Sequence, residues 1–138
     1  EARFVTLFFG TLTANGQLTY SNAGHNPPLV LGRKGVRRLE VGGPVVGLLE
    51  AAPYSQATEQ LEPGDVMVLF SDGVSEAFNL AGEDFGDERL LEVSQHAAES
   101  SAQAYVDQII SAVRAFTKGA AQSDDITVMV IRYLGTGN

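Results

Sequence analysis

Five consecutive apolar residues, Val66-Met67-Val68-Leu69-Phe70, stand between two turn signals, Pro63-Gly64-Asp65 and Ser71-Asp72-Gly73. A short apolar run closed at both ends reads as a central strand, buried on both faces. It is far too short to cross a bilayer, and no signal-peptide pattern opens the chain, so neither membrane insertion nor secretion is expected. The rest of the sequence must therefore cover that strand.

Phe4 to Thr13 is β-branched and aromatic with apolar residues on both faces, which predicts another strand covered on both sides. Asn15-Gly16 predicts a type I′ hairpin turn, and Gln17 to Ala23 the returning strand. Pro27-Pro28 interrupts regular structure, Leu29 to Leu31 resumes it, Gly32 to Gly35 turns, and Val36 to Val41 reads as a strand. Gly42-Gly43-Pro44 and Gly47 mark an irregular loop, and Tyr54 to Leu61 alternates as a strand. Two helices are expected next. The first is capped by Asp87 and carries Leu90, Leu91, Val93, Ala97 and Ala98 on one stripe. The second is capped by Ser100 or Ser101, carries Tyr105, Ile109, Ala112, Val113 and Phe116, and closes at Lys118-Gly119. Ile126 to Tyr133 is the last strand, followed by a fraying tail. Strands, a helix pair and a final strand make an α+β layout, with helices covering a mainly antiparallel sheet assembly.

The 138 residues suffice for one domain, and 44% hydrophobic against 19% charged is the balance of a folded chain. A net charge of −8 excludes a nucleic-acid binder, because the only basic cluster, Arg33, Lys34, Arg37 and Arg38, sits on a glycine-flanked hairpin tip. Without cysteine there is no disulfide and no thiolate zinc site, which is compatible with the cytoplasm. Glu83-Asp84-Phe85-Gly86-Asp87-Glu88 lacks the alternating ligands of an EF-hand loop, so a calcium module is set aside.

Two acidic sites stand out by position. Asp72 follows the strand Val66 to Phe70, and Asp124-Asp125 precedes the strand that starts at Ile126. Were those strands antiparallel neighbours, the carboxylates would converge at one sheet edge, where a hard divalent cation relieves their repulsion. Gly73 lets the backbone turn sharply there. On spacing alone, Asp-Gly after a strand is more commonly an idle turn, Ser123 a turn hydroxyl, and His25 a structural hydrogen-bonding residue. His96 reads as a surface or boundary residue.

Four blocks, in order, alter that balance. Asn22-Ala23-Gly24-His25 with Pro27-Pro28 resembles an "NAGHxPP" signature. Leu61 to Asp65 leading into Ser71-Asp72-Gly73-Val74-Ser75-Glu76-Ala77 is similar to an "LxxGD…SDGxxEA" block. Phe85 to Leu90 resembles "FGxxRL", and Gln122 to Thr127 resembles "QxDDxT". Together they resemble the SpoIIE-like, RsbU-type branch of the PPM metal-dependent serine/threonine protein phosphatases, over nearly the whole chain.

That resemblance implies a β-sandwich of two mainly antiparallel sheets flanked by helices, with a dinuclear Mn²⁺ or Mg²⁺ site. Water activated by the metals attacks phosphoserine or phosphothreonine directly. By motif position, Asp72 and Asp124 are metal ligands, while Asp125, Gly73 and His25 take supporting parts. The implied substrate is a phosphorylated STAS-type anti-sigma-factor antagonist, and an upstream sensor domain is expected in the parent chain. The family's "GDxxD" and "GDxxGxG" segments, which carry further aspartate ligands, have no counterpart here, and the chain opens directly on an apolar strand. Residues 1–138 are thus expected to be the C-terminal part of one such domain, lacking its N-terminal strands and inactive alone. The competing expectation is a catalytically inactive module that binds proteins in partner switching.

Overall fold

The structure, a computed structural model, describes residues 3–122 and 124–136. Its strands belong to two mainly antiparallel sheets and are joined by three helices, an α+β chain that divides into two compact units. The first unit runs to Asp65 and resumes at Tyr133; the second is Val66–Arg132. No helix among the described residues is long and apolar enough to cross a membrane.

In the first unit β1 (Leu7–Leu12) pairs antiparallel with β2 (Gln17–Ala23). Strand β2 alternates as a half-buried strand should, with Leu18, Tyr20 and Asn22 inward. Three expectations change here. The connecting turn is not type I′, because among the described residues only glycines have positive φ. Instead Gly16 N–H donates to Thr13 C=O, Thr13 N–H donates to Gln17 C=O, and Gly16 alone is left-handed (φ 88°), the three-residue loop with a glycine bulge.

Strand β1 is also shorter than Phe4 to Thr13 and is not covered on both sides. Within the described residues Phe4, Val5, Leu7 and Phe9 are exposed, β1 stands at the edge of its sheet, and Phe8 turns in to stack on Tyr20. Finally, Gly42–Gly43 is not only loop. As β5 it pairs parallel with Asn22 and Ala23, and an added Cβ on Gly42 would lie 1.8 Å from the Asn22 carbonyl oxygen.

The hairpin β3 (Leu29–Gly32) and β4 (Gly35–Arg38) turns at Arg33-Lys34. Strand β4 stops short of Val41 for a chemical reason. Leu39 N–H donates to Pro28 C=O, and proline has no N–H to answer with. Val41 C=O then accepts from Asn22 N–H, which moves the chain over to β2. Strand β6 begins only at Ala57 (Ala57–Gln60), where its ladder with β2 starts. Upstream of it Ser55 is held by single bonds to Gly42 and Ser21.

In the second unit β7 (Val66–Phe70) pairs antiparallel with β8 (Val128–Arg132), from Val66 opposite Arg132 to Phe70 opposite Val128. As expected β7 is the buried strand, with only Leu69 partly open. A four-residue helical turn absent from the sequence reading follows, α1 (Asp72–Ser75). Helix α2 (Gly86–His96) starts one residue before Asp87, so Asp87 lies in its first turn, where a carboxylate favours the helix dipole, and is not the cap. Its stripe keeps Leu90 and Ala97 buried but leaves Ala98 exposed beyond the helix end. Helix α3 (Ala102–Phe116) is capped by Ser101, whose Oγ accepts from Ala104 N–H, a bond worth about 1 kcal/mol. Tyr105, Ile109 and Val113 are fully buried along it, and Tyr105 donates to the Ser94 carbonyl. Burial pushes the Tyr105 hydroxyl pKa up from its ordinary value.

Candidate metal site

The antiparallel pairing of β7 and β8 sets the end of one strand beside the start of the other, the arrangement on which convergence of the two acidic sites depended. Past Phe70 and Val128 the contact continues through side chain and backbone together. Ser71 N–H donates to Thr127 C=O at 3.0 Å. Ser71 Oγ donates to Asp125 C=O (3.1 Å) and accepts from Thr127 N–H (3.0 Å). Ser71 thereby clasps both residues, a role that no sequence signal assigned to it. Only its place in the "SDG" block hinted that the residue mattered.

Gly73 completes the closure. It is buried, and an added Cβ would stand 2.0 Å from the Asp125 carbonyl oxygen and 3.2 Å from Ile126 N. The glycine is therefore required for close approach of α1 to the segment before β8, and its φ is not left-handed. Gly73→Ala is expected to push the two segments apart, at about 1–3 kcal/mol of stability. A denaturation curve of the variant checks this, and an unchanged midpoint would mean that the contact yields freely.

Asp72 is exposed at the first position of α1. Asp124 and Asp125 are exposed as well, and Asp124 Oδ1 accepts from Asp125 N–H at 2.7 Å, which turns the chain there. Gln122 Nε2 donates to Asp124 C=O. Ser123 lies outside the described residues.

The donors at this edge are carboxylate and carbonyl oxygens without sulfur, which suits a hard divalent cation. Among the described residues no group of three or more His, Cys, Asp or Glu is placed to hold a metal.

His25 belongs to the first unit and is half-buried. Its Nδ1 lies 3.0 Å from Asn26 C=O, and its backbone N–H donates to Asn22 Oδ1. Asn22, buried to 4% exposure, also donates through Nδ2 to the carbonyls of His25 and Leu39. The asparagine of the "NAGH" block thus ties the loop to the end of β4, a structural role the sequence reading did not foresee. His96 is exposed, as expected, with Nδ1 on Glu92 C=O.

Comparison with known proteins agrees with the four blocks. The sequence model of the family described as Stage II sporulation protein E (SpoIIE) matches residues 1–134. Protein IcfG of Synechocystis is 35% identical over 132 residues, covering 94% of this chain and 21% of its own. Phosphoserine phosphatase RsbU of Bacillus subtilis is 34% identical over 134 residues, covering 94% of this chain and 39% of its own. The chain therefore spans well under half the length of these curated relatives. Among solved structures, the PP2C phosphatase domain of SpoIIE from Bacillus subtilis, solved with a fragment of its regulatory domain, superimposes with a TM-score of 0.77. It is 20% identical and is matched over 92% of this chain and 37% of that one, which establishes the shared fold. Four ordered sequence blocks, the two mainly antiparallel sheets with their helices, and a family match over nearly every residue lead to one conclusion: the chain belongs to the SpoIIE family, the RsbU-type branch of the PPM phosphatases.

Proposed function

We propose that this chain forms part of a metal-dependent site that removes phosphate from phosphoserine or phosphothreonine on a regulatory protein. The observation that carries the reading is the clasp of residues 71–73 onto 125–127, which anchors the backbone beside two exposed aspartates. Asp72 and Asp124 would hold Mn²⁺ or Mg²⁺. Residues outside this stretch of sequence would complete a dinuclear set, with residues 1–138 as the C-terminal part of the domain.

When bound, such ions supply activation of water and neutralisation of the charge on the phosphoryl group. The chain's own contribution is rigidity. Ser71 and Gly73 hold the two strand ends in register, and the Asp125 backbone steadies Asp124. His25, through the Asn22 clasp, shapes the loop after β2. The protein acted upon is read as a STAS-type anti-sigma-factor antagonist in the cytoplasm, under an upstream sensor domain. That reading rests on the motif resemblance, and the likeness to RsbU, a phosphoserine phosphatase, supports the phosphatase part of it.

The test uses the full-length protein and p-nitrophenyl phosphate. Hydrolysis is expected to vanish in EDTA and to return on adding Mn²⁺ or Mg²⁺. Hydrolysis indifferent to EDTA would reject the metal site. Tight binding of the phosphorylated antagonist without any turnover would favour the inactive binding module.

A further inference from the structure

We propose that a cleft in the second unit, beside α1, receives the stretch of substrate polypeptide next to its phosphorylated residue, and that Arg114 there pairs with an acidic side chain of that stretch. The proposal rests on the phosphatase reading above. The cleft encloses about 450 Å³, and its walls include Gly73, Phe78, Ile110, Arg114, Gln122 and Asp125. That volume suits a few side chains and not a folded partner.

Two of these walls, Gly73 and Asp125, belong to the clasp between the strand ends. A polypeptide whose phosphate reaches Asp72 and Asp124 therefore has this cleft as its immediate neighbour. Phe78 and Ile110 offer it apolar contact, and the polar walls offer hydrogen bonds.

Arg114 is the only cation among the lining residues, and it is exposed. Among the described residues its side chain makes no ion pair or hydrogen bond, in contrast to the other arginines of this unit. Arg89 bonds the Asp84 and Phe85 carbonyls and lies 4.4 Å over the Phe116 ring. Arg132 bonds the Ala98 and Ser100 carbonyls. In a chain of net charge −8 an unengaged guanidinium inside a cleft is matched to a carboxylate, which it can grip through two N–H groups. Asp125, at the wall shared with the clasp, repels a substrate carboxylate, which leaves Arg114 as the lining group that attracts one. A guanidinium in the last turn of α3 also favours the helix dipole, but that role is indifferent to the substrate, so substrate preference separates the two.

The experiment compares two phosphothreonine peptides, identical except that one carries Glu and the other Gln beside the phosphorylated residue, with the full-length protein. The unaltered protein is expected to favour the acidic peptide about fivefold in kcat/KM, the reach of one partly exposed ion pair. In Arg114→Gln the ratio should fall to about one, and in Arg114→Lys it should be partly kept, consistent with a compact ammonium replacing a planar fork. Fluorescence anisotropy of the labelled peptides in EDTA should give the same ordering of Kd without turnover.

A ratio near one in the unaltered protein, or a preference that survives in Arg114→Gln, overturns the proposal. If the unaltered protein still hydrolyses p-nitrophenyl phosphate with Mn²⁺, the phosphatase reading stands without it. Failure to hydrolyse either peptide or the ester overturns both.

Discussion

Asp72→Asn in the full-length protein is expected to lower Mn²⁺-dependent hydrolysis of p-nitrophenyl phosphate by about a thousandfold, with only a small change in thermal midpoint. The substitution keeps the size and shape of the side chain but removes the charge that a hard cation requires. Asp72 is exposed at the head of α1, so little packing depends on it. The clasp made by Ser71 and Gly73 onto Asp125 and Thr127 uses neighbouring atoms and should survive. A metal-ligand role further predicts that the residual activity needs a higher Mn²⁺ concentration. Turnover within a few fold of the unaltered protein, at the same Mn²⁺ requirement, would remove Asp72 from the metal site and leave it an idle turn residue.

The second large effect falls on stability, at the residue just before β7. Asp65→Ala should cost about 3 kcal/mol, a fall of roughly 10 °C in the midpoint of a domain this size. The Asp65 carboxylate is almost fully buried. It accepts from Glu62 N–H at 2.9 Å and lies 3.6 Å from Arg37 Nη2, whose guanidinium also meets Glu59 through Nε at 3.0 Å. Alanine would leave the Glu62 N–H without its partner and a part-buried guanidinium short of one counter-charge. It would also open space beside Gly32, whose backbone approaches so closely that an added Cβ would sit 1.8 Å from Asp65 Oδ1. The neighbouring pair Lys34–Glu62 is exposed, and Lys34→Ala should cost no more than about 0.5 kcal/mol. Equal losses in the two variants would sink the argument from burial.

The buried acid of the "LxxGD" block thus has a structural task, whereas the acid of "SDG" lies exposed at a strand end. Both were legible as positions in a motif. Only burial separates their roles, because a motif records which residue stands where and not what surrounds it.

By itself the sequence determined what depends on neighbours a few residues apart. The apolar run Val66–Phe70 became the buried strand β7, the Tyr105, Ile109 and Val113 stripe became the buried face of α3, and one of the two candidate serines, Ser101, became its cap. The glycine turns at Gly35 and Gly64 are where composition placed them. The ordered blocks determined the family, since each carries several residues at set spacing. The tertiary structure alone decided the rest. Phe4 to Thr13 carries the composition of a covered strand, yet nothing within the described residues covers Leu7 and Phe9. Asn15-Gly16 suits a type I′ turn, yet the ladder between β1 and β2 selects a three-residue loop with only Gly16 left-handed. The clasp of Ser71 on Asp125, 54 residues away, and the reach of Asn22 to Leu39, 17 residues away, leave no local trace. Helical and strand periodicity reflect which side of an element is wet. Which distant carbonyl a serine or an asparagine meets is set by strand pairing, and that pairing exists only once the chain has closed on itself.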